Sequence, residues 1–406
     1  MAIALSTSQI AAARISAQLL DAAADEPMHS PCSASASAET AAAQGTSTAC
    51  AASADDVLEA AEHLLALQGQ NFFAAQWALA LRTGAAAQTI QAAFDQGLIV
   101  RSWPMRSTVH LVAAADIGWM QQATNHRVLK DWPKRRARLH LDLAVVDQVR
   151  EITRQALAGG RRLHRDALIQ VWQDAGVEMR AGWSYHLVWA LNQLGEVVFG
   201  PMSDNGRDLD LVLADEWIVS PRVHEGDEAL AELARRYIAG HGPATAADLS
   251  WWTALTVRES GRALHLAASD DAGQPLVECV GPNDEGLWAT ERQLQRALGE
   301  DGTTGRTGTD ARAVILALPA FDELLLGYKD RSAVLDPKFG PLVMSKNGLG
   351  QPTVLSDGRI RGVWKTKTAE VSLFAGEKMS TRGSAALKHS MQAYGRFSAG
   401  SDLAER

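Results

Sequence analysis

The stretch Leu64-Leu65-Ala66-Leu67-Gln68-Gly69-Gln70 ends an apolar run in two amides separated by one glycine. A glutamine side chain carries both a donor and an acceptor, so Gln68 and Gln70 together can hold one water molecule. On a regular helix residues two apart point in different directions, whereas at a helix end beside a glycine both can converge on one cavity. Spacing alone describes equally well two solvated residues that finish a helix. A second set lies in Met105-Arg106-Ser107-Thr108-Val109-His110-Leu111. Read as one alternating strand, it puts Arg106, Thr108 and His110 on a single face that can bind phosphate oxygens, with His110 titrating near neutral pH. The plainer reading of His110 is a hydrogen-bonded structural histidine.

Basic residues form two further candidates. Lys130, Lys134, Arg135, Arg136 and Arg138 crowd around Trp132, and Arg359, Arg361 and Lys365 alternate in Gly358-Arg359-Ile360-Arg361-Gly362-Val363-Trp364-Lys365 so that one hairpin face is basic and Trp364 lies on the other. Both suit the backbone of a polyanion, and both suit plain solvation. Asp322 and Glu323 form an acid pair, but no His or Cys stands at ligand spacing from them, so no metal site is expected. A buried network with Lys329 or Arg331 is the better reading. Neither GxxxxGK[ST] nor GxGxxG occurs, so no nucleotide cofactor is implied.

Composition narrows the class. At 406 residues the chain exceeds the ~250–300 at which a single core stops growing, so several domains are expected. No apolar run approaches the ~20 residues that span a bilayer. The start of the sequence has no basic stretch before its apolar residues and carries Arg14 within them, which reads against a secretory signal and for a cytoplasmic protein. Cys32, Cys50 and Cys279 are too few and too far apart for a disulfide framework. The net charge of −8 conceals segregation, about +6 over residues 101–140 against −11 over 141–320, which is the distribution that steers a polyanion.

The elements that must carry these residues repeat one grammar of helix, turn, helix and hairpin. An N-terminal helix with Ser6 or Ser8 as cap and Ala12, Ile15, Leu19 and Leu20 as stripe occupies residues 1–26. Residues 27–54 are Ala/Ser/Thr-rich without large apolar side chains and read as a flexible insertion. Helix–helix–hairpin units are then expected at 55–140, 141–222, with Asp204-Asn205-Gly206 as a turn, and 223–300, where Thr245 caps a helix. A Gly/Thr-rich linker leads to a β-rich module at 311–406, turned at Asp357-Gly358.

Taken in order, LSTSQIAAARISAQLL, LLALQGQ, RSWPMRSTVHLV, GPATAADLSWW, LPAFDELLLGYKDRS and SDGRIRGVW resemble the bacterial winged-helix family of AlkZ-like DNA glycosylases. The resemblance covers nearly the whole chain except the 27–54 insertion. It implies an α+β fold of tandem winged helix-turn-helix units forming a C-shaped scaffold for double-stranded DNA, acting as a monomer without membrane or cofactor. It also implies excision of alkylated purines, some of which crosslink the strands. Gln68 and Gln70 fall on the family's catalytic Gln-aliphatic-Gln signature, with Gly69 departing from its middle position. Arg106, Thr108, His110, Lys134, Arg135, Arg359, Arg361 and Lys365 become candidate DNA contacts. The alternative is a non-enzymatic winged-helix DNA-binding protein or transcriptional regulator; a metal-dependent nuclease would need a ligand cluster that the sequence lacks.

Overall fold

Side-chain caps decide where several helices begin. Ser6 accepts from the Gln9 N–H while the Gln9 side chain accepts from the Ser6 N–H, which starts the helix Thr7–Ala17. Ser53 with Asp56 starts Ala54–Leu64, and Thr245 with Asp248 starts Ala246–Thr253, in the same reciprocal way. The computed structural model describes residues 3–21, 52–269, 275–299 and 314–401. Most of the expected insertion lies outside these residues, and its last two, Ser53 and Ala54, belong to a capped helix start. The N-terminal helix also differs from expectation, because Ile3–Ala4 form a strand, β1, and Ala12 is exposed. The helix instead turns Arg14 inward, where it donates to the Pro243 carbonyl at 2.9 Å and pairs with Asp248 at 3.5 Å.

Five strands form one antiparallel sheet: β2 (Leu67–Gln68), β3 (Ile99–Met105), β4 (Thr108–Ala113), β5 (Val197–Met202) and β6 (Leu209–Leu213), in the order β2-β4-β3-β5-β6. The expected single strand through residues 105–111 is broken, because Arg106 and Ser107 both have φ of 55° and make the two-residue turn between β3 and β4. One pairing, Arg101 with Phe199, joins the two hairpins edge to edge. A second sheet pairs β7 (Leu276–Val280) with β8 (Gly286–Thr290), and β1 adds to it in parallel through Ile3–Cys279 and Ala4–Val280. The third has the order β12-β11-β10-β9, with β9 Ile315–Leu318, β10 Thr353–Ser356, β11 Arg359–Trp364 and β12 Val371–Leu373. Asp357 and Gly358, both with positive φ, turn β10 into β11.

The terminal module is less purely β than expected. Ser380 caps a 19-residue helix, Thr381–Ala399, whose buried Leu387, Tyr394 and Phe397 face the rest of the protein. Tyr394 meets Trp364 and Trp77 edge-on at 5.0 and 5.4 Å, and Phe397 packs on Phe73 at 5.6 Å. Trp77 and Phe73 belong to the helix Phe72–Thr83, which is buried on every side except its last residue and stops at Gly84 in the left-handed conformation. Near its end Arg82 donates to both carboxylate oxygens of Asp322 at 2.9 Å, with neither side chain reaching solvent. Helices and mostly antiparallel sheets thus make a mixed α+β protein. No helix among the described residues is long and apolar enough to cross a membrane.

Removing one partner of a buried, hydrogen-bonded ion pair leaves an uncompensated charge and costs about 3–5 kcal/mol. Arg82→Met or Asp322→Leu alone is expected to lose that amount in urea unfolding. The double variant, which buries no charge, is expected to lose distinctly less than the sum.

Candidate active site

The chain reaches the glutamines through a break in backbone direction. The helix Ala54–Leu64 ends where Leu65 takes φ of 67°, and the buried Leu65 and Ala66 carry the chain into β2. The glutamine motif therefore sits on the edge of a sheet and not, as expected, at a helix end. Leu67 faces Leu111 and Gln68 faces His110, and the Gly69 N–H donates to the Val109 carbonyl at 2.8 Å. A Cβ at position 69 would come within 3.2 Å of the His110 main chain. The glycine is thus pressed against β4.

Both amides converge. The Gln70 N–H donates to Gln68 Oε1 at 2.8 Å, and Gln68 Nε2 donates to Gln70 Oε1 at 2.6 Å. A main-chain N–H can only donate, so the first bond fixes which way the Gln68 amide points, and the second then fixes Gln70. Among the described residues the NH2 group of Gln70 has no hydrogen-bond partner. Gln68 is 8% exposed while Gln70 is open to solvent, so the pair has a buried root and a wet tip. Arg101, absent from the expected set, donates from Nε to the Gly69 carbonyl at 3.0 Å and lies over the rings of Phe72 and Phe199. Its only signal in the sequence is a basic residue within an apolar strand.

Behind the pair lies a buried carboxylate. Glu323 accepts the Gln68 N–H on Oε1 at 3.1 Å and the Trp252 indole N–H on Oε2 at 3.1 Å, with His241 Nε2 at 3.6 Å from Oε2. Burial pushes its pKa up, but His241 and the Arg106 guanidinium outweigh this and hold it below the usual carboxylate range. The expected network with Lys329 or Arg331 is therefore replaced: Asp322 pairs with Arg82 and Glu323 with His241, Trp252 and Gln68, while Arg331 donates to the Leu325 carbonyl. Phe321 has φ of 64°, and both acids that follow it are buried.

His110 also differs from expectation. It is fully buried, with Nδ1 2.9 Å from the Thr108 carbonyl and Nε2 3.1 Å from an Arg106 nitrogen. The Arg106 nitrogen can only donate, so Nε2 accepts and Nδ1 carries the proton. Burial, reinforced by the Arg106 charge, pushes its pKa down to about 3, so it neither titrates near neutrality nor reaches a phosphate. Arg106 lies on the turn and not on the strand face, and its Nε and Thr108 Oγ1 are buried with no hydrogen-bond partner among the described residues.

The remaining basic candidates lie elsewhere. Lys134 and Arg135 are exposed on the helix His126–Arg138, which buries none of its residues. Arg135 lies over the Trp189 ring at 5.5 Å, and the Trp189 indole donates to Ser107 Oγ at 3.0 Å, so this basic helix adjoins the Arg106 turn. Arg359, Arg361 and Lys365 alternate outward as expected, with Trp364 buried. Arg361 pairs with Glu377 at 2.6 Å and Lys365 with Glu370 at 2.8 Å, which tempers the charge of that face. Among the described residues no hydrogen bond or ion pair links this hairpin to the glutamines.

Two neutral amides over an ionised but inaccessible carboxylate can orient water, and they offer no nucleophile of their own. The profile described as "DNA glycosylase AlkZ-like" matches residues 61–397. The chain belongs to the AlkZ-like DNA glycosylase family, hydrolases of N-glycosyl bonds in DNA, and the regulator alternative falls away. An interstrand DNA cross-link repair glycosylase of Streptomyces sahachiroi is 25% identical over 333 residues, covering 79% of this chain and 84% of that protein. The solved structure of the S. sahachiroi DNA glycosylase AlkZ superposes with a TM-score of 0.71 at 22% identity, covering 100% of both chains. That likeness shows a shared fold.

A histidine kept neutral by burial makes the native state bind fewer protons than the unfolded chain. The stability it permits is full above the unfolded pKa of about 6.5 and is lost as pH falls from there toward 3, by up to about 1.4 kcal/mol per pH unit. His186, pushed by burial down to about 4, acts in the same direction. Unfolding free energies between pH 4 and 7 are therefore expected to slope less steeply in His110→Gln than in the parent.

Proposed function

We propose that the chain excises N-alkylated purines from duplex DNA, with Gln68 and Gln70 holding the water that attacks the sugar carbon. Cleavage of an N-glycosidic bond passes through an oxocarbenium-like transition state. An N7- or N3-alkylated purine is already cationic and leaves without being protonated. The protein then has to supply mainly position and aimed dipoles, and two mutually bonded amides at a half-open edge supply both. That reciprocal bonding, with the Gln70 amide open to solvent, is the observation that carries the reading.

The reading extends to the scaffold. The orders Phe72–Thr83, Ala87–Asp95 and β3–β4, then Arg165–Asp174, Trp183–Gln193 and β5–β6, then Ala246–Thr253, Val257–Ser269 and β7–β8 support a reading of each set as a winged-helix unit. We take these as three units at about 55–140, 141–222 and 223–300, followed by a terminal module at 311–406, arranged as a C-shaped cradle. Arg106, Lys134, Arg135, Arg359, Arg361 and Lys365 contact the duplex, whereas Thr108 keeps its hydroxyl buried and His110 acts only by holding Arg106. The protein works as a monomer in the cytoplasm. Because a relative is named for interstrand cross-link repair, crosslinked purines are included among its substrates.

Incubation with methylated duplex DNA is expected to release N7-methylguanine or N3-methyladenine, and incubation with a nitrogen-mustard crosslink to yield separable strands. Release of neither would sink the proposal. Gln70→Ala is expected to lower kcat by about 100-fold, the loss typical of one aimed dipole, with DNA affinity unchanged. If affinity fell in parallel, the glutamine would serve binding. Arg359→Ala, which removes a cation that has no ion-pair partner among the described residues, is expected to reduce the salt slope of binding by about 1.

A further inference from the structure

Gln68 lies on an edge strand, and its main chain has a requirement that the sheet does not meet. The Gly69 N–H points to β4 and is satisfied by Val109 at 2.8 Å. Successive N–H groups of a strand point to opposite sides, so the Gln68 N–H points away from β4, where no further strand of the described residues pairs with β2. Only 8% of Gln68 is exposed, so water is a poor substitute. The group that takes this N–H is Glu323 Oε1, from 255 residues further along the chain.

We infer that Glu323 is a positioning residue of the glycosylase reaction, its carboxylate setting the backbone from which the Gln68 amide reaches Gln70. The inference rests on the proposed role of the glutamines. Three observations support it. Glu323 is 1% exposed, and both of its oxygens are occupied, Oε1 by Gln68 and Oε2 by the Trp252 indole at 3.1 Å. Its place is fixed independently, because the neighbouring Asp322 is held by Arg82 and accepts the Leu324 N–H at 3.0 Å. The hydrogen-bond pattern is one that only a carboxylate completes, since two N–H donors arrive at two different oxygens. A glutamine offers one oxygen and one NH2, so either Gln68 or Trp252 would meet a donor with a donor. An aspartate keeps both oxygens but is one methylene short of bridging them.

The mechanism is indirect. Gln68 accepts the Gln70 N–H and donates to the Gln70 side chain, so a shift of its main chain moves both amides together. Displacements on the scale of 1 Å cost about 100-fold in rate when the reacting water must be aligned. Loss of Glu323 is therefore expected in kcat, while the basic residues that grip DNA stay in place.

The test compares the parent, Glu323→Gln, Glu323→Asp and the double variant Glu323→Gln/Trp252→Phe as full-length proteins on methylated duplex. Glu323→Gln is expected to lose about 100-fold in kcat with DNA affinity within about twofold of the parent. Hydrogen exchange is expected to quicken in peptides spanning residues 65–71, with the Arg82 region unaltered. The double variant removes the competing indole donor, lets the amide oxygen face Gln68, and is expected to regain at least about tenfold in kcat. A purely structural glutamate predicts the opposite, since a second core substitution deepens a folding defect. Should Glu323→Gln not fold, Glu323→Asp, which retains the charge, is read by the same two measurements. A folded Glu323 variant with parental kcat and parental exchange at 65–71 overturns the inference. A parent that releases no alkylated base overturns the proposed function instead, while the exchange result still judges the hydrogen bond.

Discussion

A guanidinium and a carboxylate sealed from water, Arg82 and Asp322, join parts of the chain that lie 240 residues apart. Burying two charges is expensive, and the cost is met only when every hydrogen is bonded. Here the remaining Arg82 hydrogens, on Nε, Nη1 and Nη2, reach Gln18 and Ala78, and Gln18 in turn donates to the Tyr328 hydroxyl at 3.3 Å. The N-terminal helix, the buried helix Phe72–Thr83 and the segment after β9 are thereby held in one register. Glu323 follows Asp322 directly, so the same clamp delivers a carboxylate to the back of Gln68.

The site is layered by charge as well as by depth. An anion, Glu323, sits at the back with Arg106, His110 and His241 around it, and neutral amides sit at the front. A neutral His110 accepts from Arg106 at Nε2, which a protonated imidazole could not do. The pressed contact between Gly69 and the His110 main chain adds a steric limit to the electrostatic one. Polar groups prepared in this way need no rearrangement when charge develops on a sugar. Basic residues exposed on the helix His126–Arg138, which adjoins the Arg106 turn, compensate locally for a chain that is acidic overall.

Local rules made much of the scaffold legible. Thr245 and Ser6 cap where reciprocal side-chain bonding predicts, and Asp204-Asn205-Gly206 and Asp357-Gly358 turn where hairpins require positive φ. The helix Thr381–Ala399 carries its own signal in Ser380 and in the spacing of Leu387, Ser390, Tyr394 and Phe397, which two glycines and the basic alternation before it obscure. What the sequence could not convey is set by contacts distant along the chain. Leu65 leaves the helix although the apolar pattern continues, because pairing with Leu111 rewards a strand at Leu67. The partners of Glu323 come from Gln68, His241 and Trp252, and no local pattern links those positions. His110 alternates correctly in its strand, yet its burial depends on what covers the sheet.

The geometry also explains why amides, and why they are not equivalent. Gln68 both accepts from the Gln70 N–H and donates to the Gln70 side chain, a combination that only an amide provides. A carboxylate at 68 would lose the donor and would stand a few bonds from the buried charge of Glu323, which already occupies its main-chain N–H. Gln70 contributes only an acceptor to the pair, and its tip is in solvent. A carboxylate there would keep the bond from Gln68 and could disperse its charge into water. The constraint on chemistry is therefore strict at the buried root and permissive at the wet tip, and it arises from the glutamate behind the strand.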